Sequence, residues 1–204
     1  KLESVLLFTR TKVRASELAD SLQALGYPVD SLHGDLKQEE REKVMGHFRK
    51  GKITILVATD VAARGLDVKG VSHVINFDVP LDPEGYVHRI GRTGRAGKSG
   101  IAITLATPGD RRRLRVIEQY TKQPIPQAKL PSIKDIQKRR DEAFVDRIVA
   151  CLAMEEHDPQ HELVKQIIEY GYSPFDIAAA AIQLMRQGEK QQTFEEIQVP
   201  FEKP

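Results

Sequence analysis

Residues 86–97 read YVHRIGRTGRAG and carry the most distinctive pattern of the chain. Arginines stand three apart at positions 89, 92 and 95, a spacing that would bring them to one face of a helix. Because like charges at that spacing weaken an isolated helix, the pattern indicates an anionic group opposite them. Glycines at 91, 94 and 97 let the backbone approach such an anion closely. Positioned arginines neutralise charge on a transferred γ-phosphoryl group, so the stretch predicts a phosphate-facing pair of arginines.

The composition is that of a globular chain with one or two domains. Its 204 residues carry 31 Lys and Arg against 29 Asp and Glu, and this net charge of +2 neither requires nor excludes a nucleic-acid partner. Cys151 is the only cysteine, so an intrachain disulfide and a cysteine-rich zinc site are excluded. We expect no metal site, a reducing and cytoplasmic compartment, and a buried Cys151 thiol among apolar neighbours.

The ends of the chain predict neither a membrane anchor nor a leader. No run approaches the roughly 18 apolar residues that span a membrane, so we expect no membrane partner. The chain begins at Lys1 without Met or a signal-peptide pattern and enters a predicted strand almost at once. We therefore expect it to be part of a longer protein.

Strand and helix patterns alternate along the first 120 residues. This alternation indicates right-handed βαβ crossovers and an α/β fold, a parallel sheet with helices on both faces. Apolar and β-branched runs predict five strands, and helical spacing predicts the intervening helices. The predicted strands are Val5–Phe8, Val29–Leu32, Ile53–Ala58, Val71–Phe77 and Gly100–Leu105; the helices are Thr9–Ala24, Gln38–Phe48, one from Pro83 into the arginine stretch, and Asp110–Tyr120.

Polar side chains follow the predicted strands. In open parallel sheets, ligands bind at the carboxyl ends of the strands. We therefore expect a site on one rim of the sheet, with Arg92 and Arg95 on the same rim as Thr59 and Asp67. The other polar residues at these strand ends are Arg10, Thr11, His33, Gly34, Asp35, Asp60, Asn76 and Asp78.

A proline-rich connector separates the first part from a helical second part. Pro124, Pro126 and Pro131 predict a stiff, extended linker. Beyond it, Ser132 and Asp135 resemble a capping box, and apolar spacing predicts three helices. The predicted boundaries are an α/β domain at 1–121, the linker at 122–132, an all-α domain at 133–190 and a tail at 191–204.

The third helix of the second part, which opens at Ser173 and Pro174, is apolar nearly all round. Residues 177–182 are all apolar, and Leu184 and Met185 follow. Such a helix must be buried on most sides by other elements. A domain of about sixty residues buries too little surface to do this alone. We expect a second copy of the chain to cover it through residues 133–190. The alternative is a three-helix unit folded back on the first domain.

Candidate binding residues also follow the strongest predicted strand. The Thr59 hydroxyl and nearby backbone N–H groups can hold a phosphate, Arg64 adds charge, and Asp67 can accept hydrogen bonds from a ribose. Arg41 lies near a helix N-terminus, where the helix dipole favours anions. Each has a plainer alternative: Arg41 as an exposed helix charge, Asp67 as a turn former and Thr59 as a strand-end cap.

Together these stretches resemble the second RecA-like domain of DEAD-box RNA helicases. Val5–Lys12 resembles motif IV of that family, Gln38–Arg41 motif IVa, Ala58–Asp67 motif V and His88–Arg95 motif VI. The helical second part resembles, more weakly, the dimerisation domain of some bacterial cold-shock and heat-resistant DEAD-box helicases.

The resemblance implies roles at two ligands, ATP and RNA. Arg92 and Arg95 would act as arginine fingers on the γ-phosphate, while Gly65 and Asp67 would contact the ribose. His88 would bridge to the partner domain. Residues assigned to the RNA backbone, without base specificity, are Thr11, Gly34, Arg41, Thr59 and Arg64.

The chain has no GxxxxGK[ST] phosphate loop and no Asp-Glu-Ala-Asp sequence. The resemblance therefore implies that ATP and Mg²⁺ are held mainly by an N-terminal RecA-like domain, and that this chain alone is inactive. As part of the full-length protein it would serve an ATP-hydrolysing RNA helicase. Two alternatives stay open: a superfamily-2 DNA helicase domain, and a non-catalytic module for dimerisation or RNA docking.

Overall fold

The computed structural model describes residues 3–63, 70–94, 99–153 and 158–188, with residues 158, 159, 187 and 188 described by backbone only. The chain forms two compact units, residues 1–126 and 127–204. The division falls within the proline-rich segment 122–132. Each unit is described by itself.

The first unit contains a five-stranded parallel sheet with the strand order β2-β3-β1-β4-β5. The predicted α/β fold is therefore confirmed. Two short helices, α3 and a 3₁₀ turn at Pro108–Asp110, were not predicted. The elements are β1 (Val5–Thr9), α1 (Lys12–Ala24), β2 (Val29–Leu32), α2 (Gln38–Arg49), β3 (Ile55–Thr59), α3 (Asp60–Ala63), β4 (His73–Asn76), α4 (Pro83–Ile90), β5 (Ile101–Thr104) and α5 (Arg111–Thr121).

Strand β1 is buried along its whole length because it lies in the centre of the sheet. Its side chains alternate between two apolar clusters. Leu6 and Phe8 pack with residues of α2, whereas Leu7 packs with residues of α1. A third cluster joins Val79, Tyr86 of α4 and Ile117 of α5. The core therefore fixes the central strands, whose carboxyl ends carry the candidate site.

The edge strand β5 is not fully covered by helices, and its side chains Ile101 and Ile103 are exposed. In register, Ile103 of β5 pairs with Ile75 of β4, and Ile75 packs against the cluster that includes α1. Within the described residues, helices therefore cover both faces at the centre of the sheet but leave β5 open.

The second unit contains three helices: α6 (Ile133–Leu152), α7 (Asp158–Glu169) and α8 (Pro174–Gly188). Arg186 of α8 binds Asp141 of α6 at 2.7 Å, and its guanidinium lies 5.2 Å from the centre of the Phe144 ring. In the described part of the chain, no helix combines the length and apolar character needed to cross a membrane.

Much of the apolar surface of the second unit is exposed. Phe144 is buried, but the apolar stripe of α6 continues along an uncovered face, and Cys151 on that helix is exposed. The prediction of a buried Cys151 is therefore wrong, because α7 and α8 do not cover this end of α6. The exposed large apolar residues of its described helices and turns are Val145, Val149, Leu152, Leu163, Ile167, Ile168, Tyr170, Tyr172, Phe175, Ile182, Leu184 and Met185.

Helix α6 begins with the predicted capping box. The Ser132 hydroxyl accepts a hydrogen bond from the backbone N–H of Asp135 at 3.2 Å and donates one to its carboxylate at 2.7 Å. The Ser132 backbone N–H also donates to that carboxylate at 2.9 Å. The side-chain hydrogen bond, followed by the backbone one, lowers the pKa of Asp135 below its ordinary value of 3.8.

A lowered pKa stabilises α6 above pH 3.8, and this contribution is lost as the pH falls through the lower value of the folded state. Ser132→Ala is expected to return the pKa of Asp135 towards 3.8, as measured by NMR titration of the carboxyl group. The Asp110 carboxyl is an internal control, because Thr107 lowers its pKa in the same way. An Asp135 titration unchanged in Ser132→Ala would contradict this assignment.

Candidate functional site

The loops that follow β1 and β2 are joined at the carboxyl edge of the sheet. Thr11 caps α1 by accepting a hydrogen bond from the Arg14 backbone N–H at 3.3 Å. The next residue, Lys12, forms an ion pair with Asp35 at 2.9 Å. The hydrogen bond from Lys12 lowers the pKa of Asp35. Since Asp35 follows Gly34, this ion pair links the loops that carry Thr11 and Gly34.

Gly34 offers open space at this edge. A Cβ atom at this position would meet nothing within 4 Å, so the structure leaves room for a ligand to approach the backbone. The exposed N-terminus of α1 lies on the neighbouring loop and presents backbone N–H groups to an anion.

Thr59 ends β3 at the level of Thr9 in β1 and is largely buried. The next element, α3, is linked to α2 by Arg41 of α2, whose Nη2 donates a hydrogen bond to the Ala62 carbonyl oxygen of α3 at 3.2 Å. Arg41 is half-buried, so the alternative of an exposed helix charge is wrong. Its contact with α3 places it beside the chain segment that follows Thr59.

Arg89 lies at the centre of a buried polar cluster. It is only 3% exposed and forms a bidentate ion pair with Asp60, with Nε and Nη2 at 2.6 and 2.7 Å from the two carboxylate oxygens. Its Nη1 donates to Asn76 Oδ1 at 3.2 Å and to the Asp78 carbonyl oxygen at 2.8 Å. The guanidinium also lies 5.0 Å from the centre of the Phe8 ring. We call Arg89, Asp60, Asn76 and Asp78 the Arg89 cluster.

The Asp78 carboxylate extends this cluster to the loop after β1. It accepts a hydrogen bond from the Arg10 backbone N–H at 2.8 Å and forms an ion pair with Arg14. Arg10 and Arg14 flank Thr11. The Arg89 cluster therefore fixes the ends of β1, β3 and β4 relative to one another.

Arg89 and Arg92, two of the three arginines spaced three apart, do not share a helix face. Helix α4 ends at Ile90, so Arg92 lies beyond it, whereas Arg89 points into the protein. A sequence signal for this existed: Tyr86, Arg89 and Ile90 have the i, i+3, i+4 spacing of a buried helix face. Arg14 is a further contributor that sequence analysis missed.

The backbone of Arg92 lies near the amino end of β4, away from the rim that carries Thr59. Its carbonyl oxygen accepts a hydrogen bond from Val71 N at 3.1 Å, and Val71 precedes the first residue of β4. The first residue of β4, His73, pairs in register with Val5 of β1. Val5 lies four residues before Thr9, the residue that pairs with Thr59. About 13 Å along the strands therefore separates the level of Thr59 from the start of β4. Among the described residues, the rim at Thr59 and the segment at Arg92 therefore form two separate surfaces.

The second surface contains Arg92 and His88. Arg92 is half-exposed, and His88 is exposed with its Nε2 3.9 Å from Glu84 one helical turn away. Four predicted site residues, Arg64, Gly65, Asp67 and Arg95, lie outside the described residues.

Thr93 anchors the segment that carries Arg92. Its hydroxyl donates to the Val71 carbonyl oxygen at 2.6 Å, and Gly94 adopts a positive φ of 67°. A Cβ atom at Gly100 would collide with the Thr93 side chain and with the backbone of Gly94. A glycine at position 100 is therefore needed for this arrangement.

Gly100→Ala is expected to lower the free energy of unfolding by about 1–3 kcal/mol, the usual range when extra atoms are forced into a packed site. Urea unfolding would measure it. Gly109→Ala is the matched control, because its added Cβ would lie 3.7 Å from Thr107 Oγ1, an ordinary contact. Equal stability of the two variants would contradict the predicted clash.

Comparison with known proteins identifies both units. The family described as "Helicase conserved C-terminal domain" matches residues 1–97, and "RNA helicase DeaD dimerization domain" matches residues 131–196. The Escherichia coli DEAD-box protein SrmB, solved bound to regulator of ribonuclease activity A, is 39% identical with a TM-score of 0.58. The match covers 64% of this chain and 82% of that chain. The chain belongs to the DEAD-box RNA helicase family.

Further DEAD-box relatives agree. A DEAD box protein from Methanococcus jannaschii is 47% identical with a TM-score of 0.59, covering 62% of this chain and 35% of that one. The DEAD-box ATP-dependent RNA helicase CshA of Bacillus subtilis is 43% identical over 182 residues, which is 89% of this chain and 37% of the relative. CshA of Geobacillus kaustophilus is 42% identical over 185 residues, 91% of this chain and 40% of the relative. This DEAD-box chain thus spans at most 40% of the length of these two curated relatives.

Proposed function

We propose that this chain is the C-terminal part of an ATP-dependent RNA helicase, with one surface for RNA and another for the nucleotide. The observation that supports the proposal is that the residues proposed for RNA and Arg92 lie towards opposite ends of the strands. Thr11 and Gly34 follow β1 and β2, and Thr59 ends β3 between them, whereas the Arg92 backbone lies near the amino end of β4. A helicase must bind two ligands at once, and separate surfaces allow this.

The RNA surface follows the carboxyl edge from β2 to β1. Open space at Gly34, the exposed end of α1 and the guanidinium of Arg41 suit a sugar-phosphate backbone. Arg64 is proposed to add a further phosphate contact. Because such contacts read no bases, we expect binding that is independent of RNA sequence and sensitive to salt.

The nucleotide surface would complete an ATP site held mainly by an N-terminal RecA-like domain. The exposed His88 and half-exposed Arg92 fit a nucleotide that approaches from outside this unit. We propose Arg92 and Arg95 as arginine fingers and Gly65 and Asp67 as ribose contacts. In line with the DEAD-box resemblance, we propose that Mg²⁺ is held together with ATP mainly by the N-terminal domain.

The isolated 204-residue chain is expected to show no RNA-stimulated ATPase, whereas the full-length protein should show it. In the full-length protein, Arg95→Ala should reduce turnover by about 10³-fold or more, because an arginine finger contributes on that scale. Steady-state phosphate release with and without single-stranded RNA measures both effects. Arg111→Ala, which removes an exposed arginine of α5, is the matched control.

Turnover of Arg95→Ala within a few-fold of wild type would refute the finger role. Equal stimulation by single-stranded DNA would favour a superfamily-2 DNA helicase. A full-length protein that binds RNA without hydrolysing ATP would favour the non-catalytic docking module.

We also propose a cytoplasmic location, in line with a single cysteine and an RNA substrate.

We further propose that residues 133–190 form a homodimer. Phe175 is 82% exposed and Leu184 68% exposed within α8, and both belong to the exposed apolar surface of the second unit. The match of residues 131–196 to a dimerisation domain supports a second copy as the cover. A two-fold interface would bury this surface on both copies at once.

Leu184→Glu is expected to shift the chain from dimer to monomer, because it places a charge on the proposed interface. Sedimentation velocity at micromolar concentration measures the change. The control is Val116→Glu, which adds the same charge at an exposed apolar position of α5. A wild-type chain that sediments as a monomer at high micromolar concentration would overturn the dimer.

A further inference from the structure

The Arg89 cluster lies between the two surfaces of the proposed site. On one side, Asp60 directly follows Thr59, a proposed RNA contact. On the other, the Arg89 carbonyl oxygen accepts a hydrogen bond from the Arg92 backbone N–H at 3.1 Å. One buried side chain therefore connects the segment after β3 with the segment that carries a proposed arginine finger.

The two partners in the ion pair differ in burial. The Arg89 side chain is 3% exposed, whereas that of Asp60 is 46% exposed. Asp60 belongs to α3, a helix of only four residues. Arg89 is fixed by three further contacts, to Asn76, Asp78 and Phe8. Displacement of α3 would therefore act on the Asp60 end of the pair first.

Arg41 provides a way for RNA to displace α3. Its guanidinium holds the Ala62 carbonyl oxygen through one hydrogen bond at 3.2 Å. A phosphate is a stronger partner for a guanidinium than a neutral carbonyl, because both groups are charged. An RNA phosphate bound by Arg41 would compete with Ala62 and loosen α3 from α2.

We propose that Arg89 is a positioning residue that couples RNA binding to the placement of Arg92, through its ion pair with Asp60. RNA binding shifts α3, Asp60 carries the shift to Arg89, and α4 carries it to the segment at Arg92. Arg89 itself touches neither ligand. This inference rests on the proposed function, since it requires RNA and ATP to bind to the same protein.

Asp60→Asn in the full-length protein tests the coupling, because it removes the charge of the half-exposed partner and keeps its size. The affinity for a short oligouridylate is measured with and without a non-hydrolysable ATP analogue and Mg²⁺, and the analogue affinity with and without RNA. Linkage requires both ratios to give the same coupling factor. We expect a wild-type factor of roughly 5–150. Asp60→Asn should bring it below about 2, while each single-ligand affinity changes less than about threefold.

Asp110→Asn is the matched control, because Asp110 also pairs with an arginine, Arg113, at 2.8 Å but lies outside the Arg89 cluster. It should keep the wild-type coupling. Asp60→Glu should restore part of the coupling, since it returns the charge at a slightly different distance. A merely structural role would instead change both single-ligand affinities and the thermal midpoint without changing the ratio.

Arg89→Lys serves as a second variant if Asp60→Asn does not fold, and it too should lose coupling because an ammonium cannot form the bidentate pair. A folded variant of either kind with the wild-type coupling factor would overturn the inference and leave the proposed function intact. A wild-type protein without any coupling between RNA and the ATP analogue would overturn both.

Discussion

The burial of the Arg89 guanidinium is the constraint on which the candidate site depends. A charge taken out of water must be paired and hydrogen-bonded, because its desolvation is otherwise too costly. Arg89 meets this demand with the Asp60 carboxylate, the Asn76 amide and the Asp78 carbonyl group. These partners stand at the ends of two strands that are not neighbours, with β1 between them. One side chain thus sets the relative positions of the ends of β3 and β4, and its guanidinium also packs on the Phe8 ring of β1.

This arrangement has a consequence for function in a DEAD-box protein. The proposed RNA contacts depend on loops at the carboxyl edge, and the proposed nucleotide contacts depend on the segment after α4. Asp60 and Arg89 belong to these two regions and bind each other directly. A buried ion pair contributes little net stability in many proteins, whereas loss of one partner is strongly destabilising. Its proposed value here is to fix one geometry for the two proposed surfaces.

The second unit depends on a different physical constraint. Three helices bury Phe144 and join α6 to α8 through Arg186, but they leave large apolar side chains such as Phe175 and Leu184 exposed. A unit of this size has too little interior to cover an apolar helix by itself. An exposed apolar surface of this extent marks an interaction site. The proposed dimer would therefore complete the core of this unit as well as join two copies.

The sequence by itself determined the local elements and the pattern of the motifs. Alternating strands and helices predicted the parallel sheet, and the Ser132–Asp135 spacing predicted the start of α6, because both signals depend on residues close together in the chain. Only the tertiary structure decided which groups Arg89 binds, since its partners lie 29, 13 and 11 residues away. It also decided that Arg92 lies near the amino end of β4, apart from Thr59, and that Cys151 is exposed. Each of these depends on which distant segment covers a face, and local periodicity carries no information about that.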